Sequence, residues 1–227
     1  MVGKYRHEIK LSINNFDRAV LSNRLSHLLS RDSYAGSNGF YVVRSIYFDD
    51  CDDNALQDKL LGVKYREKFR IRTYGQSLSI IKLEKKVKNN QVGYKDKALL
   101  SEAECRAVLE GNHFFLKERA EMVCRQLYGK MNTGLYKPRA IVQYNREAYV
   151  WEPGRVRITI DSDLQSGLNC VDFLNFNAPL TGVMAPGVSI LEIKYDDFLP
   201  AHIAHLLQME SRQRAALSKY VISRRFN

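Results

Sequence analysis

Tyr65-Arg66-Glu67-Lys68-Phe69-Arg70-Ile71-Arg72-Thr73-Tyr74 alternates charge and hydrocarbon almost residue by residue. Successive side chains of a strand point to opposite faces, so Arg66, Lys68, Arg70 and Arg72 share one side and Phe69 and Ile71 the other. The same two-sided pattern returns in Leu78 to Lys86, where Lys82, Glu84 and Lys86 lie opposite Ile81, Leu83 and the following Val87. Asn89-Asn90 predicts a hairpin turn into a further strand, Val92 to Leu99, with Lys95 and Lys97 on one face.

Five more segments carry the period-two signature. Tyr5 to Ile13 puts Glu8 and Lys10 opposite Ile9 and Leu11. Tyr41 to Phe48 follows, and Ala140 to Trp151 places Tyr144 and Arg146 together with Asn145 opposite. Val156 to Ser162 sets Arg157, Thr159 and Asp161, with Arg155 just ahead, against Val156, Ile158 and Ile160. Ser189 to Tyr195 sets Glu192 and Lys194 against Leu191, Ile193 and Tyr195. Helices are expected at Asn14 to Ser30, from the Ser101-x-x-Glu104 capping box to Leu109, at Leu116 to Tyr128 and at Ala201 to Met209. Eight strands without regular βαβ alternation argue for an α+β fold on an antiparallel sheet.

One polar face is ordinary for a single antiparallel strand. Across the set, however, Lys and Arg dominate, and Glu8, Glu84 and Glu192 supply one glutamate each on three strands. A generic solvated face mixes the signs more evenly. Closing the sheet into an eight-stranded barrel explains the bias: the apolar faces pack outside against helices, and the basic faces line a tunnel wide enough for one small ligand. An interior of that kind repels itself when empty, so a polyanion is its expected content. Arg offers bidentate contacts to phosphate oxygens, Lys compact point charges, and the few carboxylates offer Mg²⁺ or Mn²⁺ a place beside the phosphates.

Composition agrees. The 227 residues are 45% hydrophobic and carry a formal net charge of +10. One domain spanning 1–227 is expected, with an anionic partner: nucleic acid, an acidic membrane surface or a phosphate-rich small molecule. No apolar leader and no run of about 20 apolar residues is present, so no membrane segment and a cytoplasmic location are expected. Cys51, Cys105, Cys124 and Cys170 are scattered, as befits free thiols in a reducing compartment. The acidic run Asp49, Asp50, Asp52 and Asp53 lacks the spacing of a calcium loop and fits a strand end followed by a helix cap. His202 and His205 have no carboxylate placed to complete a metal site and are expected to be surface histidines. No glycine-rich phosphate loop occurs, so a bound nucleotide would be held by side-chain charge.

An ordered set of short motifs adds to this. Arg6-His7-Glu8-Ile9-Lys10, Arg70-Ile71-Arg72, Leu83-Glu84-Lys85-Lys86, Tyr144-Asn145-Arg146, Arg157-Ile158-Thr159-Ile160-Asp161, Leu191-Glu192-Ile193-Lys194-Tyr195 and Ser218-Lys219-Tyr220 follow one another along nearly the whole chain. Together they resemble the catalytic domain of the vacuolar transporter chaperone (VTC) polyphosphate polymerases, in stand-alone bacterial form, within the triphosphate tunnel metalloenzymes. The resemblance implies that Lys10, Arg70, Arg72, Lys86, Lys97, Arg146, Arg157 and Lys219 bind phosphates, and that Tyr144 faces them. It implies that Glu192 holds Mn²⁺ or Mg²⁺. By parity Lys82, Lys194, Glu8 and Glu84 point into the same tunnel, with the two glutamates as further metal candidates, and Ser218 adjoins the site. Related triphosphatases and cyclases often begin Glu-x-Glu-x-Lys; here Arg6 stands at the first position, which disfavours those activities.

The expected activity is metal-dependent transfer of the γ-phosphoryl group of ATP to a growing polyphosphate chain, with pyrophosphate or polyphosphate as acceptor. A triphosphatase or tripolyphosphatase of the same fold, and a non-catalytic polyanion-binding protein, are the alternatives. Nucleic acid is not the expected partner.

Overall fold

The computed structural model describes residues 7–36, 38–90, 92–168, 172–209 and 217–224. Tyr5, Arg6 and Cys170, which entered the sequence argument, lie outside them. The described strands form an antiparallel sheet of ten: β1 His7–Ile13, β2 Ser30–Arg31, β3 Tyr41–Asp49, β4 Tyr65–Tyr74, β5 Ser77–Asn89, β6 Val92–Leu100, β7 Lys137–Trp151, β8 Val156–Leu168, β9 Thr181–Gly182 and β10 Ser189–Tyr195. The helices are α1 Asn15–Leu28, α2 Asn54–Leu60, α3 Glu102–Leu109, α4 Met122–Thr133, α5 Ala201–Leu206 and α6 Lys219–Ser223.

The chain divides into two compact units, the first of residues 1–42, 144–164 and 184–218, the second of 43–143, 165–183 and 219–227. In the first, the strand order is β1-β10-β8-β7, with β2 on β7. Ile13, Ile158, Ile160, Leu191 and Ile193 project from one side of these strands onto Leu21 and Leu25 of α1 and Ile203 of α5. Asn14 caps α1 reciprocally: its side chain accepts from the Asp17 amide, and the Asp17 carboxylate accepts from the Asn14 amide. Trp151 packs edge-on against the His202 ring, so that histidine serves packing.

In the second unit the order is β7-β3-β4-β5-β6, with β9 on β8. Ile46, Phe48, Phe69, Ile71, Ile81, Leu83, Ala98 and Leu100 form the apolar side and pack on Val108 of α3 and Val123, Cys124 and Leu127 of α4. The Ser101–Glu104 capping box opens α3 as expected. Asn90 takes a left-handed φ of 53° in the hairpin between β5 and β6.

The helix expected at Leu116 to Tyr128 is instead a 3₁₀ turn, Phe114–Lys117, followed by α4. Arg119 explains the break. Its guanidinium donates to Glu104, to Glu121 and to the Leu99 carbonyl, and so fixes the connecting residues as a loop. The acidic run closes β3 and starts α2, as expected. Asp49 does the capping, accepting from the amides of Ala55 at 2.9 Å and Leu56 at 3.1 Å, while Asp50 accepts from Asn54.

Candidate functional site

In the second unit, registered pairing turns the sequence alternation into rows of charge. One row runs Tyr47, Arg70, Glu84, Lys97 across β3 to β6, and the next runs Ser45, Arg72, Lys82. A third runs Lys68, Lys86, Lys95. Arg72 therefore faces Lys82, Lys68 faces Lys86, and Lys86 faces Lys95. Like charges directly opposite destabilise a ladder, by up to about 1 kcal/mol per pair. On the helix side of the same strands the charges pair off instead: Glu67 holds Lys85 at 2.7 Å and Lys130 at 2.6 Å.

Glu84 is the carboxylate within these rows and is 1% exposed. Its Oε2 takes Arg70 at 2.7 Å and its Oε1 takes Lys95. Burial opposes its ionisation, but Arg70, Arg72 and Lys95 outweigh that and hold it well below the usual carboxylate range. Glu84 is thus spent on the cations beside it. Burial and the neighbouring Lys59 and Arg66 pull the Lys68 ammonium down to about 8, and its Nζ sits 5.1 Å over the Tyr220 ring. Lys86 and Lys97 are exposed, and Lys82 lies 4.9 Å over the ring of Tyr74.

Lys219 is the first residue of α6, which is anchored from both ends. Tyr220 donates to the Asp49 carboxylate at 2.7 Å, and Arg224 donates to Asp53 at 2.7 Å. The sequence alone gave no sign of that anchor.

The first unit is paired charge for charge. Across β1, β10 and β8 the register sets Glu8 opposite Lys194 opposite Arg157, and Lys10 opposite Glu192 opposite Thr159. Lys10 Nζ lies 3.0 Å from Glu8 and 3.4 Å from Glu192, and also donates to the Leu217 carbonyl next to Ser218. Burial opposes its charge, yet Glu192 and Glu8 prevail and raise its pKa above the ordinary lysine value. Lys194 meets Glu192 at 3.0 Å. Arg146 donates from Nε and Nη2 to the two oxygens of Asp161 at 2.7 and 2.8 Å, with Glu192 at 3.9 Å and the Tyr144 ring 5.2 Å from its centre. Arg157 pairs with Asp32 at 2.7 Å and donates to the Tyr41 hydroxyl at 3.2 Å. Burial pushes that phenol up to about 12.

The expected dominance of Lys and Arg is therefore tempered in the first unit. Asp32 and Asp161 balance Arg157 and Arg146, while in the second unit the register sets cation opposite cation. Parity already placed Asp161 on the right face; Asp32 sits beyond β2, where no periodicity marks it.

A divalent cation fits part of this donor set. The ammonium of Lys10 already lies between the carboxylates of Glu8 and Glu192, an all-oxygen pair. Among the described residues no group of three His, Cys, Asp or Glu side chains is placed to hold a metal unaided. One or two carboxylates completed by substrate phosphates is the usual arrangement for Mg²⁺. Glu84, with both oxygens engaged, contributes charge balance.

Among the described residues no helix is long and apolar enough to cross a membrane. No curated protein matches the chain. Among solved structures, one from Hippeastrum, an adenylyl cyclase candidate with a dominant triphosphatase activity, superposes with a TM-score of 0.58 at 16% identity, over 96% of this chain and 94% of that one. An adenylate cyclase candidate from Bacillus halodurans gives a TM-score of 0.50 at 16% identity, over 89% and 84%. At such identities the likeness concerns the fold alone. The family model of the VTC domain matches residues 5–226, nearly the full length, and by that match the chain belongs to the VTC domain family.

Proposed function

We propose that this chain is a metal-dependent polyphosphate polymerase, moving the γ-phosphoryl group of ATP onto the end of a polyphosphate chain. The observation that carries this is the like-charge register of Arg72 with Lys82 and of Lys68 with Lys86 and Lys95. A sheet that sets cation against cation in the rows on either side of Arg70 and Glu84 is stabilised when a polyanion lies along it. Closure of the sheet into an eight-stranded tunnel, with the chain acting as one domain in the cytoplasm, is part of what we propose.

Phosphoryl transfer asks little covalent chemistry of a protein; it asks for in-line positioning and for positive charge around the moving group. Arg70, Arg72, Lys82, Lys86, Lys97 and Lys219 of the second unit would bind phosphate oxygens. In the first unit Lys10, Lys194, Arg157, Tyr144, Ser218 and the remaining Nη1 of Arg146 would do the same. Glu192, with Glu8, would hold Mn²⁺ or Mg²⁺, which supplies charge neutralisation between phosphates when bound. The terminal phosphate of the acceptor is ionised at neutral pH, so the residues present need not remove a proton from it. Glu84 keeps Arg70 aimed along the row.

The triphosphatase activity of the Hippeastrum protein makes hydrolysis the second reading. The test is incubation with ATP, Mn²⁺ and a pyrophosphate primer, followed by a gel that resolves phosphate chains. A ladder lengthening with time supports the polymerase; orthophosphate without a ladder supports the hydrolase.

A further inference from the structure

Tyr47 belongs to the basic face of the second unit, yet neither the ordered motifs nor the charge pattern pointed to it. It is 7% exposed on β3, directly opposite Arg70 in register. Its ring stacks on Tyr220 at 4.9 Å between centroids, and the Arg70 guanidinium lies 5.8 Å from its centre. Arg70 Nη1 donates to its hydroxyl oxygen at 2.9 Å. Among the described residues no acceptor faces the hydroxyl's own proton.

The surroundings are lopsided in charge. From β4, Arg70, Arg72 and Lys68 all act on the phenol. Glu84 of β5 lies beyond Arg70 and is already shared between Arg70 and Lys95 of β6. Tyr220 of α6 keeps its proton, because its hydroxyl is donated to Asp49 at the end of β3.

We propose that Tyr47 is a phosphate-binding residue that carries negative charge beside Arg70 in the free protein, and that an arriving phosphate chain replaces this charge as the phenolate takes a proton from solvent. The resulting O–H then has an acceptor in a phosphate oxygen, and Arg70 is released from the phenolate to the phosphate. This rests on the second unit's basic face being a phosphate site, as proposed above. The charges around the phenol support it: burial opposes ionisation, but Arg70, Arg72 and Lys68 outweigh burial and draw the phenol down to about 7. Because bound phosphate favours the protonated form, affinity must fall as pH rises through that value. One linked proton gives about a fivefold loss between pH 7 and pH 8, on top of what any other group contributes.

The experiment is a near-ultraviolet titration of tyrosinate absorbance on the full chain, with tripolyphosphate as probe and its binding followed in parallel by calorimetry. Wild type is expected to show one tyrosinate by pH 8, lost when tripolyphosphate saturates the protein. Tyr47→Phe removes the signal and flattens the pH dependence of affinity by about fivefold between pH 7 and 8. Tyr136→Phe, which removes a phenol that burial pushes above its ordinary value, leaves the signal in place. Wild type alone decides if Tyr47→Phe fails to fold. Absence of any tyrosinate at pH 8, or a tyrosinate that saturating tripolyphosphate leaves unchanged, overturns the inference. A tyrosinate present in a protein that binds no tripolyphosphate refutes the phosphate site itself and the coupling with it, and is distinguishable because the free titration survives.

Discussion

Consider replacement of Asp161 by alanine. Asp161 is 1% exposed and takes two hydrogen bonds from Arg146, itself 8% exposed. Deleting the carboxylate strands a buried guanidinium, which costs about 3–5 kcal/mol when a buried pair loses one partner. Glu192 stands 3.9 Å from Arg146 but already serves Lys10 and Lys194, so it offsets only part of the loss. The lower end of the range, about 3 kcal/mol, is the expected outcome. For a chain of this length that is a fall of about 6–12 °C in Tm. Urea unfolding and calorimetry both read it. Adding Arg146→Met should restore more than half of the loss, because neither charge is then left buried alone. A single variant within about 1 kcal/mol of wild type, or a double variant whose losses simply add, would refute the assignment of this pair as a closed buried unit.

Three further outcomes follow from the same geometry. Glu192→Ala should abolish metal-dependent turnover, a loss of at least about a hundredfold; full activity would remove Glu192 from its role. Glu84→Gln should destabilise the protein at neutral pH, and the pH sign is fixed: the folded carboxyl lies below its unfolded value of about 4.3, so its contribution is complete above that value and lost as pH falls through the folded one. The gap between wild type and variant in urea unfolding should therefore narrow from about pH 6 toward pH 3, and a gap that does not change with pH contradicts the ion pairs drawn for Glu84. Tyr220→Phe removes the bond to the Asp49 carboxylate, worth about 1.5–3 kcal/mol, and should speed hydrogen exchange in α6; unchanged exchange there would show that the anchor lies elsewhere.

Much of the sheet is legible in the sequence. Tyr65–Tyr74 and Ser189–Tyr195 match β4 and β10 residue for residue, because each has one side on hydrocarbon and the other on charge, and period two survives that contrast. The two-residue strands β2 and β9 and the five-residue α6 are too short to show any period. Parity put Arg70, Arg72, Lys82 and Glu84 on one face, and the register confirms that grouping. It could not show that Glu84 would be consumed by Arg70 and Lys95, since that depends on which strands are neighbours. Tyr47 was hidden for a different reason. Nearly every residue of β3 is buried, on both faces, so a functional phenol at Tyr47, between Ile46 and Phe48, looks like core. Asp32 escaped because it lies in the turn after β2, where a counter-ion has no periodic signature.

The measurement that bears most directly on the central claim is the balance of products from one reaction. The purified chain is given ATP and Mn²⁺ with a trace of pyrophosphate, and ADP, orthophosphate and chain phosphate are quantified together by phosphorus NMR. Transfer to a growing chain predicts ADP matched by phosphate in chain linkages, with little orthophosphate. ADP matched by orthophosphate, and no chain signal, would contradict the polymerase and leave a hydrolase on the same strands.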